Sequence, residues 1–253
     1  MAKIILEKSW DAAAKTFFEE WEPLFKRGLI WGPYGPWEKD AKLLPPLRNK
    51  RVLVLGCGSG PDVWWLAKQG AKVTAADFSE KQLELAENRM KKARLKANFL
   101  KKDLNKINTK DFPKNTFDLV VSNYAFQYIK DLNRLFAEVR RFLKKDGKFI
   151  FSLNHPVWSG TRSDGEKRSD KSLDYITERK VHFTMSGGKK EAPFYIYHRT
   201  VGRIINALAK NEFFIEKMLE PKPAVRSTKY YNEWLMLAKK IPATIIFAAR
   251  KIK

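Results

Sequence analysis

Val52-Leu53-Val54-Leu55-Gly56-Cys57-Gly58-Ser59-Gly60-Pro61 is a short apolar run that breaks into three glycines at alternate positions and then into a proline. The apolar run reads as a buried strand, and residues 61–68 read as the helix that follows. Glycine permits the tight turn between them and lets the backbone approach a ligand that a side chain would hold off. The next strand, 72–76, ends at Asp77, whose carboxylate can accept hydrogen bonds from both hydroxyls of a ribose. Strand, turn, helix, strand and acid in this order mark a site for an adenosine-type ligand.

Outward from this unit the alternation continues. Residues 80–96 and 132–143 are expected to be helices, and 97–101, 117–122 and 148–153 strands. Nearly all-apolar strands alternating with helices imply a parallel sheet covered on both faces, with ligands beyond the carboxyl ends of the strands. After Asn154 the alternation breaks over 156–198, where two strand-like runs flank Ser186-Gly187-Gly188 in a hairpin pattern. A helix at 201–210 and strands at 213–219 and 243–249 then complete the sheet. Upstream, Trp10, Ala13, Ala14, Phe17, Phe18, Trp21 and Leu24 recur at helical spacing over 9–27, with Ser9 placed as N-cap. Residues 31–46 hold too many Gly and Pro for regular structure and form a shaped loop.

The expectation is therefore an α/β, doubly wound, mostly parallel seven-stranded sheet with one antiparallel strand, helices on both faces, an N-terminal helix and an inserted cap. We read 1–253 as one domain: an N-terminal helix and Gly/Pro loop (1–46), a cofactor-binding half (47–154), an insertion or cap (155–198) and a C-terminal completion of the sheet (199–253).

Composition narrows the class. An apolar fraction of 44% with 31% charged residues is ordinary for a soluble globular chain of 253 residues. Cys57 is the one cysteine, which excludes an intrachain disulfide and a cysteine-based metal cluster and points to a reducing, cytoplasmic setting. The first residues lack a signal-peptide core, and no stretch approaches the ~18 apolar residues of a membrane span. A formal charge of +22 invites a nucleic-acid partner, because Lys and Arg gain affinity for phosphate by releasing counterions. The basic residues are spread along the chain, however, in places where cations also complement helix C-termini and solvated faces.

Nicotinamide dinucleotide sites use G-x-G-x-x-G, whereas this chain has G-x-G-x-G-P followed by Asp77-Phe78-Ser79. That form resembles the first two motifs of class I, Rossmann-like S-adenosylmethionine-dependent methyltransferases. The resemblance continues in Asp103-Leu104 after the third strand and in the fourth-strand region from Phe117 to Tyr128, so that it spans 52–153. It implies S-adenosyl-L-methionine as cofactor, with Gly56, Cys57, Gly58 and Gly60 at its methionine part, Asp77 at the ribose, Phe78 on the adenine face, Asp103 and Leu104 at the adenine edge, and Asn123 near the sulfonium. More loosely, Trp31-Gly32-Pro33-Tyr34-Gly35-Pro36, His155-Pro156 and the block 195–200 are similar to the small-molecule branch related to ubiquinone- and menaquinone-biosynthesis methyltransferases.

Methyl transfer from a sulfonium is an in-line displacement, so the protein mainly aligns the reactants, excludes water and removes a proton where the acceptor carries one. His155, leaving the fifth strand at its carboxyl end, is the candidate base, though the histidine could instead hold the strand exit ahead of Pro156; Tyr124, which the resemblance places near the sulfonium, is the second catalytic candidate. Tyr34, Trp37, Phe126, His198 and Arg199 are candidate substrate contacts, Arg199 either binding an anionic group or pairing with Glu220. No metal is expected. A small-molecule acceptor is the first reading. RNA ribose or base methylation using the basic surface and a non-catalytic cofactor-binding module are the rivals; neither the acceptor atom nor an oligomeric state follows from the residues.

Overall fold

The computed structural model describes residues 6–161, 173–186, 191–224 and 232–252. The elements run α1 (Leu6–Phe25), α2 (Glu38–Ala41), β1 (Arg51–Leu55), α3 (Pro61–Lys68), β2 (Lys72–Asp77), α4 (Glu80–Ala93), β3 (Ala97–Lys101), β4 (Phe117–Asn123), α5 (Leu132–Phe142) and β5 (Leu143–Asn154). Then follow α6 (Pro156–Gly160), β6 (Arg179–Ser186), β7 (Glu191–His198), α7 (Val201–Lys210), β8 (Phe213–Leu219), α8 (Asn232–Ala238) and β9 (Thr244–Lys251).

Seven strands form one sheet in the order β3-β2-β1-β4-β5-β9-β8, and only β9 runs against its neighbours, between β5 and β8. The expected class I architecture is thus observed. β1 lies between β2 and β4, so the chain winds outward first to one side and then to the other. A crevice opens at that reversal, beyond the carboxyl ends of β1 and β4. Both faces of the sheet are packed. One side is dominated by Phe126, Phe136, Phe149, Phe151 and Phe247 with α5 and α7, the other by Val52, Val54, Val63, Leu66 and Met90 with α3 and α4. Helix starts follow local chemistry: the side chains of Ser79, Asp131 and Thr200 accept from the backbone N–H three residues on, and Pro61 opens α3.

β6 and β7 form a separate antiparallel ribbon, the expected insertion. It packs on α1 through Trp10 and Phe194, whose rings meet edge-on at 5.2 Å. The tip of the hairpin, Gly187 and Gly188, lies outside the described residues.

Several local expectations are corrected. α1 is helical from Leu6, so Ser9 is inside the helix and is not its N-cap; its hydroxyl donates to the Pro193 carbonyl at 2.6 Å and ties α1 to the ribbon. The 31–46 loop contains α2, because the Glu38 carboxylate gathers Trp31 Nε1 (2.8 Å) and the backbone N–H groups of Leu43 (2.9 Å) and Leu44 (2.8 Å). α4 ends at Ala93, since Arg94 turns left-handed (φ 54°).

Gly60 sits at φ +76°, and a Cβ there would lie 2.7 Å from Ala86 Cβ and 3.1 Å from its Cα. Its absence of a side chain lets α4 close on the glycine turn. Gly60→Ala is expected to cost about 2 kcal/mol through overpacking and backbone strain, read as a lower urea midpoint; an unchanged midpoint would show that α4 yields without cost.

Candidate functional site

One cavity of about 730 Å³ opens beyond the strand ends, and it brings together Gly56, Cys57, Gly58, Asp77, Phe78, Asp103, Leu104, Asn123, Tyr124 and Tyr34. These residues come from four strand ends and the Gly/Pro loop, so the sheet order assembles all but Tyr34, which the loop brings. Gly60 does not line it; the third glycine serves helix packing. Gly58 (φ +50°) does, and a Cβ there would find only Gln82 Oε1, at 3.7 Å, leaving open space for a ligand against the backbone. Gly56 is pressed against Ala125, whose Cβ a side chain would meet at 2.3 Å.

Asp77 organises this end. Its Oδ2 accepts from Gly58 N (2.9 Å) and its Oδ1 from Ser79 N (3.0 Å), so the carboxylate holds the glycine turn and the start of α4 in one frame. Burial pushes its pKa up, against the pull of those N–H donors. The Phe78 N–H adds a third pull on the carboxylate, and of its roughly four acceptor positions at least one stays open to a ligand donor. Asp103 closes a turn by accepting from Asn105 N at 2.9 Å and remains partly exposed at the cavity rim. The Cys57 thiol is buried, and desolvation raises its pKa well above the ordinary value, so it is held as a neutral thiol.

Asn123 lines the cavity, but its amide is engaged in the protein itself. Oδ1 accepts from Gly32 N (2.9 Å) and Ser152 Oγ (2.6 Å), while Nδ2 donates to Ile30 O (2.8 Å) and Asp62 Oδ1 (3.3 Å). It is the clamp that seats the Gly/Pro loop on β4. Tyr124, next in sequence, stands at φ +62°, a costly conformation for a tyrosine, and its hydroxyl donates to Ala243 O at 3.1 Å. The ring lines the cavity; the hydroxyl proton is already committed to a backbone carbonyl.

Five acceptor-side expectations are not brought into the cavity. His155 is buried, with Nδ1 accepting from Val157 N (3.0 Å) as the cap of α6, which places the hydrogen on Nε2, facing Glu220 Oε1 at 2.7 Å. Burial lowers its pKa. It holds the strand exit and does not line the cavity. Glu220 therefore pairs with His155, not with Arg199. The Arg199 guanidinium is buried and donates to the carbonyls of Ile129, Lys130 (3.2 Å) and Tyr197 (3.3 Å), desolvation drawing its pKa down to about 10. His198 bonds Ser159 Oγ (2.7 Å) and Tyr175 O (3.0 Å). Phe126 is core, its ring packed at tilted angles against Phe136, Phe149 and Phe151, and Trp37 packs with Ile30, Tyr34 and Trp158. In each case the polar or aromatic group is consumed in joining two elements.

The structure adds residues that the motif reading missed. Asp62 and Gln82 line the glycine-turn end, and Trp10, Phe17, Trp21, Phe25, Gln127 and Trp158 line the rest. The Pro61-Asp62 pair at the start of α3 was the available signal for Asp62. The aromatic stripe of α1 was visible as amphipathic spacing, but such spacing does not distinguish core from cavity wall. The cofactor's fit rests on two observations: the open space over Gly58, and Gln82 Oε1, which is buried at that cradle with no partner among the described residues. A buried acceptor without a donor costs about 1–3 kcal/mol, and a ligand hydroxyl at that place would supply one.

Asp77→Ala is expected to weaken S-adenosylmethionine binding at least about 100-fold in calorimetry, since hydrogen bonds to a buried charge are worth about 1.5–3 kcal/mol each; unchanged affinity would defeat the assignment. His155→Ala is expected to lower the melting temperature while leaving kcat of the folded protein within about threefold. A large loss of kcat without loss of stability would restore it as a base.

Comparison with known proteins agrees with this geometry. A methyltransferase-domain family model matches residues 53–151. The chain is 33% identical over 219 residues to an uncharacterized protein of Haemophilus influenzae, covering 83% of this chain and 85% of that one. It is 26% identical over 220 residues to a malonyl-[acyl-carrier protein] O-methyltransferase of Halalkalibacterium halodurans, covering 85% and 72%. The crystal structure of an S-adenosylmethionine-dependent methyltransferase from Mesorhizobium loti superposes with a TM-score of 0.67 at 28% identity, over 85% of this chain and 97% of that one. The glycine turn, the acids at the ends of β2 and β3 and the relatives agree, and the chain belongs to the class I S-adenosylmethionine-dependent methyltransferases.

Proposed function

We propose that the chain works as one cytoplasmic methyltransferase domain that moves the methyl group of S-adenosylmethionine to an uncharged small molecule held in the aromatic part of the same cavity. One observation carries this reading. Away from the glycine turn the wall is built from Trp21, Phe25, Ile30, Tyr34, Tyr124 and Trp158, with Tyr34 and Trp158 meeting edge-on at 6.0 Å.

No described arginine or histidine lines the cavity. Its two lysines belong to the other end: Lys106 stands 3.9 Å from Asp103, and Lys130 N donates to Asn105 Oδ1 at 3.1 Å. A phosphate or carboxylate buried against aromatic rings without a cation would lose its hydration uncompensated, so the wall favours a neutral, apolar acceptor. The same argument weakens the nucleic-acid reading, which rests on the net charge of +22 alone. Catalysis then consists of alignment and exclusion of water, the aromatic wall fixing the nucleophile in line with the methyl group. Cytoplasmic placement is supported by the single, buried Cys57.

The test offers methyl-labelled S-adenosylmethionine with, separately, an organic extract of small molecules and bulk tRNA. Label is expected in the apolar extract; label in tRNA alone would overturn the proposal. Trp158→Ala is expected to raise the acceptor KM about tenfold or more, as loss of an interfacial aromatic contact does, and to leave cofactor affinity alone. Equal loss of both would assign Trp158 to the scaffold.

A further inference from the structure

Of the two buried acids that line the cavity, Asp77 and Asp62, the second is assigned neither by the motif reading nor by the relatives. It is the second residue of α3, only 7% exposed, and it lines the cavity. Its described hydrogen bond is the 3.3 Å contact from Asn123 Nδ2 to Oδ1. No described lysine, arginine or histidine lies within ion-pair distance. Arg89, whose field reaches it, is held by Glu22 at 2.5 Å. A carboxylate buried without a cation is costly, and natural proteins keep such a group where a ligand supplies the missing charge.

The sheet order says which part of the ligand arrives there. The adenosine residues, Asp77 with Phe78 and Asp103 with Leu104, follow β2 and β3, on one side of β1. Asp62 is bonded to Asn123 at the end of β4, on the opposite side of β1. A nucleoside anchored over β2 and β3 and drawn across the glycine turn puts its amino-acid end over β4. That end carries one cationic and one anionic group, and a carboxylate repels the second.

We propose that Asp62 is the counter-ion of the cofactor's α-ammonium group, the residue that reads the amino-acid end of S-adenosylmethionine, with Asn123 positioning it. The inference rests on the cofactor assignment above. Burial agrees with it: without a cation Asp62 titrates at about 7, driven up by desolvation and held back by the Asn123 bond.

The experiment compares two ligands on two proteins. S-adenosylhomocysteine carries the amino acid but no sulfonium, and 5′-methylthioadenosine carries the same nucleoside and thioether but no amino acid. In Asp62→Asn, which keeps the size of the side chain, the Kd of S-adenosylhomocysteine is expected to rise 10- to 100-fold while that of methylthioadenosine stays within twofold. Asp62→Glu is expected to recover part of the loss. An equal loss for both ligands, or none for either, overturns the proposal, whereas failure of the wild-type protein to bind S-adenosylhomocysteine would strike the cofactor assignment itself. If the amide variant does not fold, the wild-type protein is titrated with deaminated S-adenosylhomocysteine, expected to bind at least tenfold more weakly; equal binding overturns the proposal.

Discussion

Four hydrogen bonds to the Asn123 side chain hold the site together. The amide has two donors and an oxygen with two lone pairs, and here it serves the Gly/Pro loop at Ile30 and Gly32, β5 at Ser152 and α3 at Asp62. Every contact crosses from one element to another. A buried amide satisfied in this way is directional, so the loop is seated in one position relative to the end of β4, and the wall formed by Ile30, Gly32, Pro33 and Tyr34 is placed with it. The strained turn at Tyr124, immediately after, is tolerated because the backbone on its N-terminal side is already fixed.

The rest of the site follows the same economy of buried polar groups. Asp77 holds the glycine turn through backbone N–H donors, Glu38 folds the loop around Trp31, and His155 starts α6 while reaching Glu220. Each of these three side chains is matched by donors or acceptors on neighbouring segments. Among the groups short of partners, Gln82 Oε1 and the Asp62 carboxylate line the cavity, where a ligand could complete them.

This division explains why the acceptor side misled a linear reading. His155, His198 and Arg199 have the chemistry of catalytic or anion-binding groups, and all three sit near the end of β5 or of the ribbon. Their heads point into junctions between α6, β7 and the segment after β4, where backbone carbonyls and N–H groups need partners. A long polar side chain reaches several ångströms from its Cα, and a one-dimensional motif does not say in which direction. Aromatic residues behaved oppositely: Trp10, Phe17 and Trp21 read as the core face of a helix, yet the core that α1 covers is partly a cavity.

The order of apolar runs, glycines and acids determined by itself the mostly parallel sheet with one antiparallel strand and a glycine turn followed by an acid, and the resemblance carried by those motifs named the cofactor, because strand alternation, tight turns and the carboxylate after a strand are local properties of the backbone. Only the tertiary structure decided which glycine lines the cavity and which one packs a helix, that Asn123 clamps a loop, that His155 caps α6, and that Asp62 is bonded to the end of β4, across β1 from Asp77. Those are facts of side-chain direction and of contacts between residues far apart in sequence, and they are set by which buried polar groups find one another when the layers close.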